Sequence, residues 1–417
     1  MGSKMPSGMK LETTAALTIF ALTYLVLAVG KLPFLRLDRP GAALVGGVAM
    51  VASGVLSGRG AESAVDFPTL GLLLGMMIVV ANLRVSGAFA LVARKILGRA
   101  ASGYGLLAIA VVLSGVLAAF FTNDVVCLVL AAPLIEAAAS MHLDPIPVLL
   151  ALATASNIGS AATITGNPQN MIVAGFAHLG YVGFAASLAP AAVAGLMIDY
   201  SVIAWLFRRR LHGHKLHDRP PARPPRVLRP LMVKASVITL GTLVCFLLGF
   251  PTHIVALSAG ALLMVTRRIR AERIYREIDW TMLLMFAGLF VVVAGAETSG
   301  FQNYLLKLVG IERLTNPTTL ALVSTALSNL VSNVPAVMLF RPLYPILGHG
   351  RRVALVLASS STFAGNLTPL GSIANMIVIE QARRRGIHIS FSDYFRVGLP
   401  VTLLTLAVDI AILRAIA

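Results

Sequence analysis

The chain has 417 residues, of which 57% are hydrophobic and only 12% charged, with a formal net charge of +17 and a mean hydropathy of +0.86. A soluble domain carries roughly 25% charged residues, so this composition excludes an ordinary globular enzyme or binding module and indicates a polytopic membrane protein. The basic excess does not indicate nucleic acid: Lys and Arg fall in short loops between apolar stretches, and no basic stripe is interleaved with aromatics.

A helix needs roughly 20 apolar residues to cross the hydrocarbon layer. About ten such stretches can be laid on the chain, with two further regions that read as hairpins. The first span lies near 13–30 and reads as a retained helix, because no small-residue cleavage motif follows it. Spans near 41–57 and 67–93 follow, then a hairpin over 104–140 with its tip at Phe121–Asp124. A broken helix over 146–176 and a span over 184–207 complete the first half. The second half repeats the order: spans near 231–250, 252–266 and 280–308, a hairpin over 317–347 with its tip at Ser332–Pro335, a broken helix over 353–383, and a span over 394–416. Between the halves, residues 208–230 are basic and Pro-rich and read as a linker whose histidines belong to a solvated loop. Cys127 and Cys245 lie in apolar runs, with no disulfide framework and no metal-ligand spacing.

The halves echo each other in sequence. Residues 163–173 read TITGNPQNMIV and residues 368–378 read TPLGSIANMIV, an offset of 205 positions. Thr122-Asn123 matches Ser332-Asn333 at 210, and Ser86-Gly87 matches Ser299-Gly300 at 213. Paired apolar segments interrupted by Gly, Pro and Asn mark a secondary transporter built from repeats. The expected fold is therefore an all-α membrane protein of two inverted repeats, 11–207 and 231–416, each with five transmembrane segments and one re-entrant hairpin. Charge bias agrees with this count. Lys31, Arg36, Arg39, Arg94, Lys95, Arg99, the 208–230 linker, Arg267–Arg276 and Arg383–Arg385 all fall on one side, which the positive-inside rule makes cytoplasmic. Only scattered charges such as Arg59, Lys307 and Arg313 fall opposite, and both termini are expected outside.

Non-helical backbone survives at membrane depth only inside protein or along a wet cavity. Four such points occur: the two hairpin tips and the breaks SNIGSAATITGNPQN (156–170) and STFAGNLTPLGSIAN (361–375). The candidate substrate and ion ligands are Thr122, Asn123 and Asp124 at the first tip and Ser332 and Asn333 at the second. The first break adds Ser156, Asn157, Thr163, Thr165, Gly166, Asn167, Gln169 and Asn170, and the second adds Asn366, Thr368, Gly371, Ser372 and Asn375. Hydroxyls, amides and half-helix ends of this kind hold a small polar solute without a formal charge. The competing reading is that they are polar glue between helices.

Asp124 is the sharpest single residue, because an intramembrane acid costs roughly 2.5–3.5 kcal/mol on insertion scales. Its counterpart is Val334, so the acid is unpaired by the repeat. It reads as a proton or cation carrier, or as an N-cap to the second arm of its hairpin. Glu136 and Glu297 read as weaker candidates near span ends, and Cys127 as a small apolar filler or a metalloid contact.

FFTNDVVCLVLAAPLIEAA, SNIGSAATITGNPQNMIVAG, LVSNVPAVMLF and TPLGSIANMIV resemble the arsenite-permease/sodium–proton antiporter branch of the ion transporter superfamily, and in particular the plant silicon-efflux transporters and their bacterial relatives. The resemblance implies scaffold and transport domains, elevator-type alternating access and a homodimer in a bacterial-type plasma membrane. It also raises an ATPase subunit as a partner. Related carboxylate carriers have Ser-Asn-Thr at both tips, where this chain has Thr-Asn-Asp and Ser-Asn-Val. That departure favours proton-coupled efflux of a small metalloid hydroxide (arsenite, antimonite or silicic acid). A sodium/proton antiporter and an anion symporter of the same fold are the alternatives. No nucleophile–base pair, metal motif or phosphate loop points to an enzyme or a cofactor.

Overall fold

In the computed structural model of the protein, residues 7–32, 37–212, 227–300, 310–348 and 350–415 are described. The chain is almost entirely helical, apart from one two-stranded antiparallel ladder, Lys31–Leu32 with Leu37–Asp38. Among the described residues eight helices are long and apolar enough to cross a membrane, and four shorter apolar ones accompany them. Large apolar side chains such as Val45, Val237, Leu240 and Leu403 stand exposed, which suits a lipid-facing surface and not a watery one.

Most of the expected spans appear, with sharper ends. The span placed at 67–93 is two helices, Phe67–Ser86 and Ala88–Leu97, because Gly87 takes a left-handed φ of +83° between them. The matching helix Trp280–Thr298 also ends before a left-handed glycine, Gly300 at φ +74°, and the remainder of that expected span, 301–309, lies outside the described residues. Both helices start alike. Asp66 accepts from the Thr69 N–H at 3.1 Å and Asp279 from the Met282 N–H at 2.9 Å, each satisfying a donor that a helix start leaves free. The 41–57 span is the helix Arg39–Ala52, followed by a separate turn of helix at Gly58–Ala64. The linker region begins with the helical turn Arg208–Leu211 and gives way at Arg229 to the next helix, while 213–226 lie outside the described residues.

The first hairpin consists of Gly103–Phe120 and Asn123–Ser140, the second of Pro317–Val331 and the shorter Asn333–Phe340. Each second arm packs against the far arm of the other half's break: Asn123–Ser140 on Ile373–Arg383, and Asn333–Phe340 on Pro168–Phe176. Two further crossings recur at one spacing. A Cβ at Gly75 would fall 2.5 Å from the Ala256 carbonyl oxygen, and one at Gly288 would fall 2.4 Å from the Ala43 carbonyl oxygen. Gly75 and Gly288 are 213 positions apart, as are Ala43 and Ala256. The long helices Tyr181–Leu206 and Phe391–Ala415 lie against each other, and each carries an internal proline, Pro190 and Pro400.

Candidate polar site at the two helix breaks

The two breaks are built alike. Ile146–Ser160 unwinds, a 3-10 turn at Ile164–Gly166 follows, and Pro168–Phe176 resumes the helix. Arg351–Ala364, Pro369–Gly371 and Ile373–Arg383 do the same in the second half. Unwinding frees carbonyls that must find donors. Asn170 Nδ2 donates to the Ser160 and Thr163 carbonyls at 3.0 and 2.8 Å, and Asn375 Nδ2 donates to the Gly365 and Thr368 carbonyls at 2.7 and 3.1 Å. Donor and acceptors all shift by 205 positions. Gly166 and Gly371 fit over the same carbonyls: a Cβ would come within 2.2 Å of the Ser160 oxygen and 2.9 Å of the Gly365 oxygen.

The breaks also bond to each other. Asn157 Nδ2 donates to Asn366 Oδ1 at 2.8 Å and to Asn375 Oδ1 at 3.0 Å. Its own Oδ1 accepts from Asn123 at 2.7 Å and from Ser372 at 3.0 Å, which brings in the first hairpin tip. Thr362, the counterpart of Asn157 at an offset of 205, accepts from Asn167 at 3.0 Å and from Gln169 at 3.2 Å, and lies 3.4 Å from Asn170 Oδ1. Ser160 joins the two groups, accepting from Asn167 at 3.0 Å and donating to the Asn157 carbonyl at 2.7 Å. All of these side chains are buried. The result is one network of neutral donors and acceptors, with the unwound backbone enclosed by protein as lipid requires.

Other expected ligands lie at its margin. Thr163 bonds the Ala119 carbonyl and meets Thr165 at 3.3 Å, while Thr165 meets the Tyr181 hydroxyl at 3.1 Å. Ser156 faces Cys127 at 3.1 Å, and Thr368 reaches Asn329 at 3.4 Å. At the second tip Ser332 holds a left-handed φ of +81°, a costly conformation for a residue with a side chain. Asn333 Oδ1 is buried there with no hydrogen-bond partner among the described residues.

Asp124 lies beside the network and not within it. Thr122 takes the N-cap position of Asn123–Ser140, without a side-chain cap, and Asp124 sits in the first turn. The N-cap alternative for its own helix therefore fails. Its carboxyl instead faces the start of Ile373–Arg383 in the other half, near the Ala374 N–H, which donates to Ser372 Oγ at 3.3 Å. Asp124 and Thr122 line a cavity of about 80 Å³ together with Arg84, Glu277 and Asp279. An Arg84–Glu277 ion pair at 2.5 Å stands at its wall. A much larger cavity, about 750 Å³, is lined by Asp66, His178, His253, Glu297 and Arg341. Asp66 and Arg84 are each 213 positions from Asp279 and Glu297, so the two cavities share repeat-related walls. Arg341 stacks over Phe290 at 5.5 Å and keeps a buried Nη1 without a hydrogen-bond partner among the described residues.

Residues 22–350 match the citrate transporter family, CitMHS. The chain belongs to that family. It is also 30% identical to the silicon efflux transporter LSI3 of Oryza sativa subsp. japonica, with 95% of this chain and 96% of the relative covered. It is 22% identical to the putative transporter arsB of Dictyostelium discoideum, over 91% of this chain and 87% of that one. A solved structure, the Alcanivorax borkumensis YdaH transporter, matches with a TM-score of 0.58 over 98% of both chains at 16% identity, which is a likeness of fold. The resemblance drawn from the TND, SNIGS and GNPQN motifs is thus borne out at family level.

This citrate transporter family member also holds residues that the motif reading passed over. Thr362 is one, detectable only through its alignment with Asn157. Asp199 and Asp409 are two more, fully buried acids in the C-terminal part of the last long helix of each half, 210 positions apart. Asp124 is therefore not the only acid among the membrane helices.

Proposed function

We propose that this secondary transporter moves a small, uncharged metalloid hydroxide, silicic acid or arsenite-like, out of the cell in exchange for protons. The observation that carries the reading is the neutral network around Asn157 and Thr362, in which both halves supply hydroxyls and amides and neither supplies a fixed charge. A polyhydroxylated neutral solute offers O–H donors to such acceptors, and the unspent Asn333 Oδ1 is available to one of them. The silicon-efflux relative supports the same cargo class. Asp124, facing the start of a half-helix beside the network, is placed to couple a proton to the movement.

The architecture we assign is a pair of inverted repeats, 11–207 and 231–416, joined by 208–230, with basic loops cytoplasmic, both termini outside and an elevator-type motion in a homodimer. The recurrence of helix crossings and break contacts at offsets of 213 and 205 supports the repeat. The second reading is an anion symporter, favoured by the citrate transporter match and by Arg341 in the large cavity.

Proteoliposomes loaded with silicic acid, arsenite, citrate or sodium, at two pH values with a trapped pH dye, decide between them. Release of silicic acid or arsenite accelerated by an imposed pH gradient supports the first reading. Citrate movement blocked by Arg341→Gln, with no metalloid movement, replaces it with the second.

A further inference from the structure

The last long helix of each half carries one buried acid, Asp199 in Tyr181–Leu206 and Asp409 in Phe391–Ala415. Both are 0% exposed. Their surroundings correspond as well. Asp199 stands beside Thr154, whose hydroxyl is spent on the Leu150 carbonyl at 2.9 Å, and neither carboxyl oxygen of Asp199 has a hydrogen-bond partner among the described residues. Asp409 Oδ2 accepts from Ser359 at 2.6 Å, and its Oδ1 has no partner among the described residues. Thr154 and Ser359 are 205 positions apart, the offset of the breaks, and each lies on the arm that leads into one. The two long helices cross closely at Gly195 and Thr405, where a Cβ on the glycine would come within 3.2 Å of Thr405. Each acid is four residues beyond its own member of that contact.

An ionised carboxyl enclosed without a partner is expensive to maintain. Nothing nearby relieves it: among the described residues no Lys, Arg or His pairs with either acid. The basic groups on the elements packed around them point elsewhere. Arg351 bonds Gly183 and Ser187, Lys234 bonds the Leu262 and Val265 carbonyls, and Arg414 bonds Thr318. Ile146–Ser160 and Pro317–Val331 carry no titratable side chain. Of the titratable groups facing Asp199, Tyr394 is in electrostatic range of it and of Cys127, and neighbours the Asn375 amide of the network.

We infer that Asp199 and Asp409 are a repeat-related pair of proton-binding carboxyls that load and unload during the transport cycle, in addition to Asp124. Each step is a simple proton transfer: a carboxylate takes one proton from water that reaches it on one side and returns that proton to water on the other. Tyr394 stands near Asp199 with its hydroxyl buried and without a hydrogen-bond partner among the described residues, whereas its counterpart 210 positions earlier is Phe184. This inference rests on the secondary-transport reading, while the infrared arm of its test does not depend on the cargo.

Infrared difference spectra of the whole purified protein in lipid, titrated between acid and alkaline pH, report the carboxyl C=O stretch of a buried acid. Beyond any band removed by Asp124→Asn, two pH-responsive bands are expected, one removed by Asp199→Asn and the other by Asp409→Asn. In proteoliposomes each Asn variant should keep equilibrium exchange of labelled silicic acid or arsenite and lose acceleration by a pH gradient, and Asp199→Glu should restore it at a shifted pH midpoint. Bands that ignore pH, or Asn variants that keep the wild-type pH-gradient response, overturn the inference. Failure of the wild type to carry either solute, with both bands titrating, overturns only the proposed cargo.

Discussion

Asn157 donates to Asn375 Oδ1 at 3.0 Å, tying the first helix break to the second across 218 positions of chain. Four side chains converge on that one amide, so its removal strands more than itself. Asn157→Ala should cost about 1–3 kcal/mol for each buried partner left bare. The expected outcome is a clear drop in thermal unfolding midpoint together with loss of transport. Asn157→Asp keeps one acceptor but sets a buried carboxyl oxygen against Asn366 and Asn375 Oδ1, so it should be at least as destabilised as the alanine variant and equally inactive. Unfolding curves of lipid-reconstituted protein check the order.

The two fold-back glycines are predicted to differ in tolerance. A methyl at Gly166 would meet the Ser160 carbonyl oxygen at 2.2 Å, against 2.9 Å at Gly371 and the Gly365 oxygen. Overpacking of a tight site costs about 1–3 kcal/mol. Gly166→Ala should therefore fall at the upper end and Gly371→Ala at the lower, and equal losses of stability would count against the geometry of the breaks.

Much of this was readable from residue order alone. Gly, Pro and Asn announce the breaks because they disrupt helices, and their spacing set the two breaks at one offset before any contact was visible. Asp199 and Asp409 escaped because they sit inside uninterrupted apolar helices, where a search for broken segments does not look; an acid within a span was the available signal. Thr362 was hidden by chemistry, since a threonine stands where its counterpart is an asparagine. The hydrogen-bonding division of labour was also not legible. Asn170 and Asn375 spend their donors on freed carbonyls, while Asn333 keeps an open acceptor, and only the fold decides that. Arg341 meets Glu297 in one cavity because helix ends converge there, a relation that no local pattern encodes.

Asp124 is predicted to have separable roles. Its carboxyl faces the start of a half-helix in the other half, whose Ala374 N–H donates to Ser372 Oγ at 3.3 Å. Asp124→Asn keeps the size and polarity of the side chain and cannot exchange a proton, so stability should hold while pH-gradient-driven transport falls. Asp124→Ala removes the polar group facing that helix start as well and should lose about 0.3–1 kcal/mol, the range for a negative side chain near a helix N-terminus. A pH-driven flux in Asp124→Asn equal to wild type would leave the acid with only its structural part.

The last prediction concerns sidedness. The cavity holding His253 is about 750 Å³, and the repeat-related one holding Thr122 and Asp124 is about 80 Å³. Under the alternating-access reading proposed above, this shape is open on one face and nearly shut on the other. His253→Cys should react readily with a membrane-impermeant maleimide added outside, since the proposed orientation puts that end of its helix outward. Thr122→Cys should react slowly from the inside. Breaking the 2.5 Å ion pair at the wall of the small cavity by Glu277→Gln should speed labelling of Thr122→Cys several-fold from the inside and slow labelling of His253→Cys, because opening one face closes the other. The native Cys127 is fully buried and should contribute no background, and Cys245 is removed by Cys245→Ala. Simultaneous rapid labelling of both positions would describe a continuous pore and defeat the alternating-access reading.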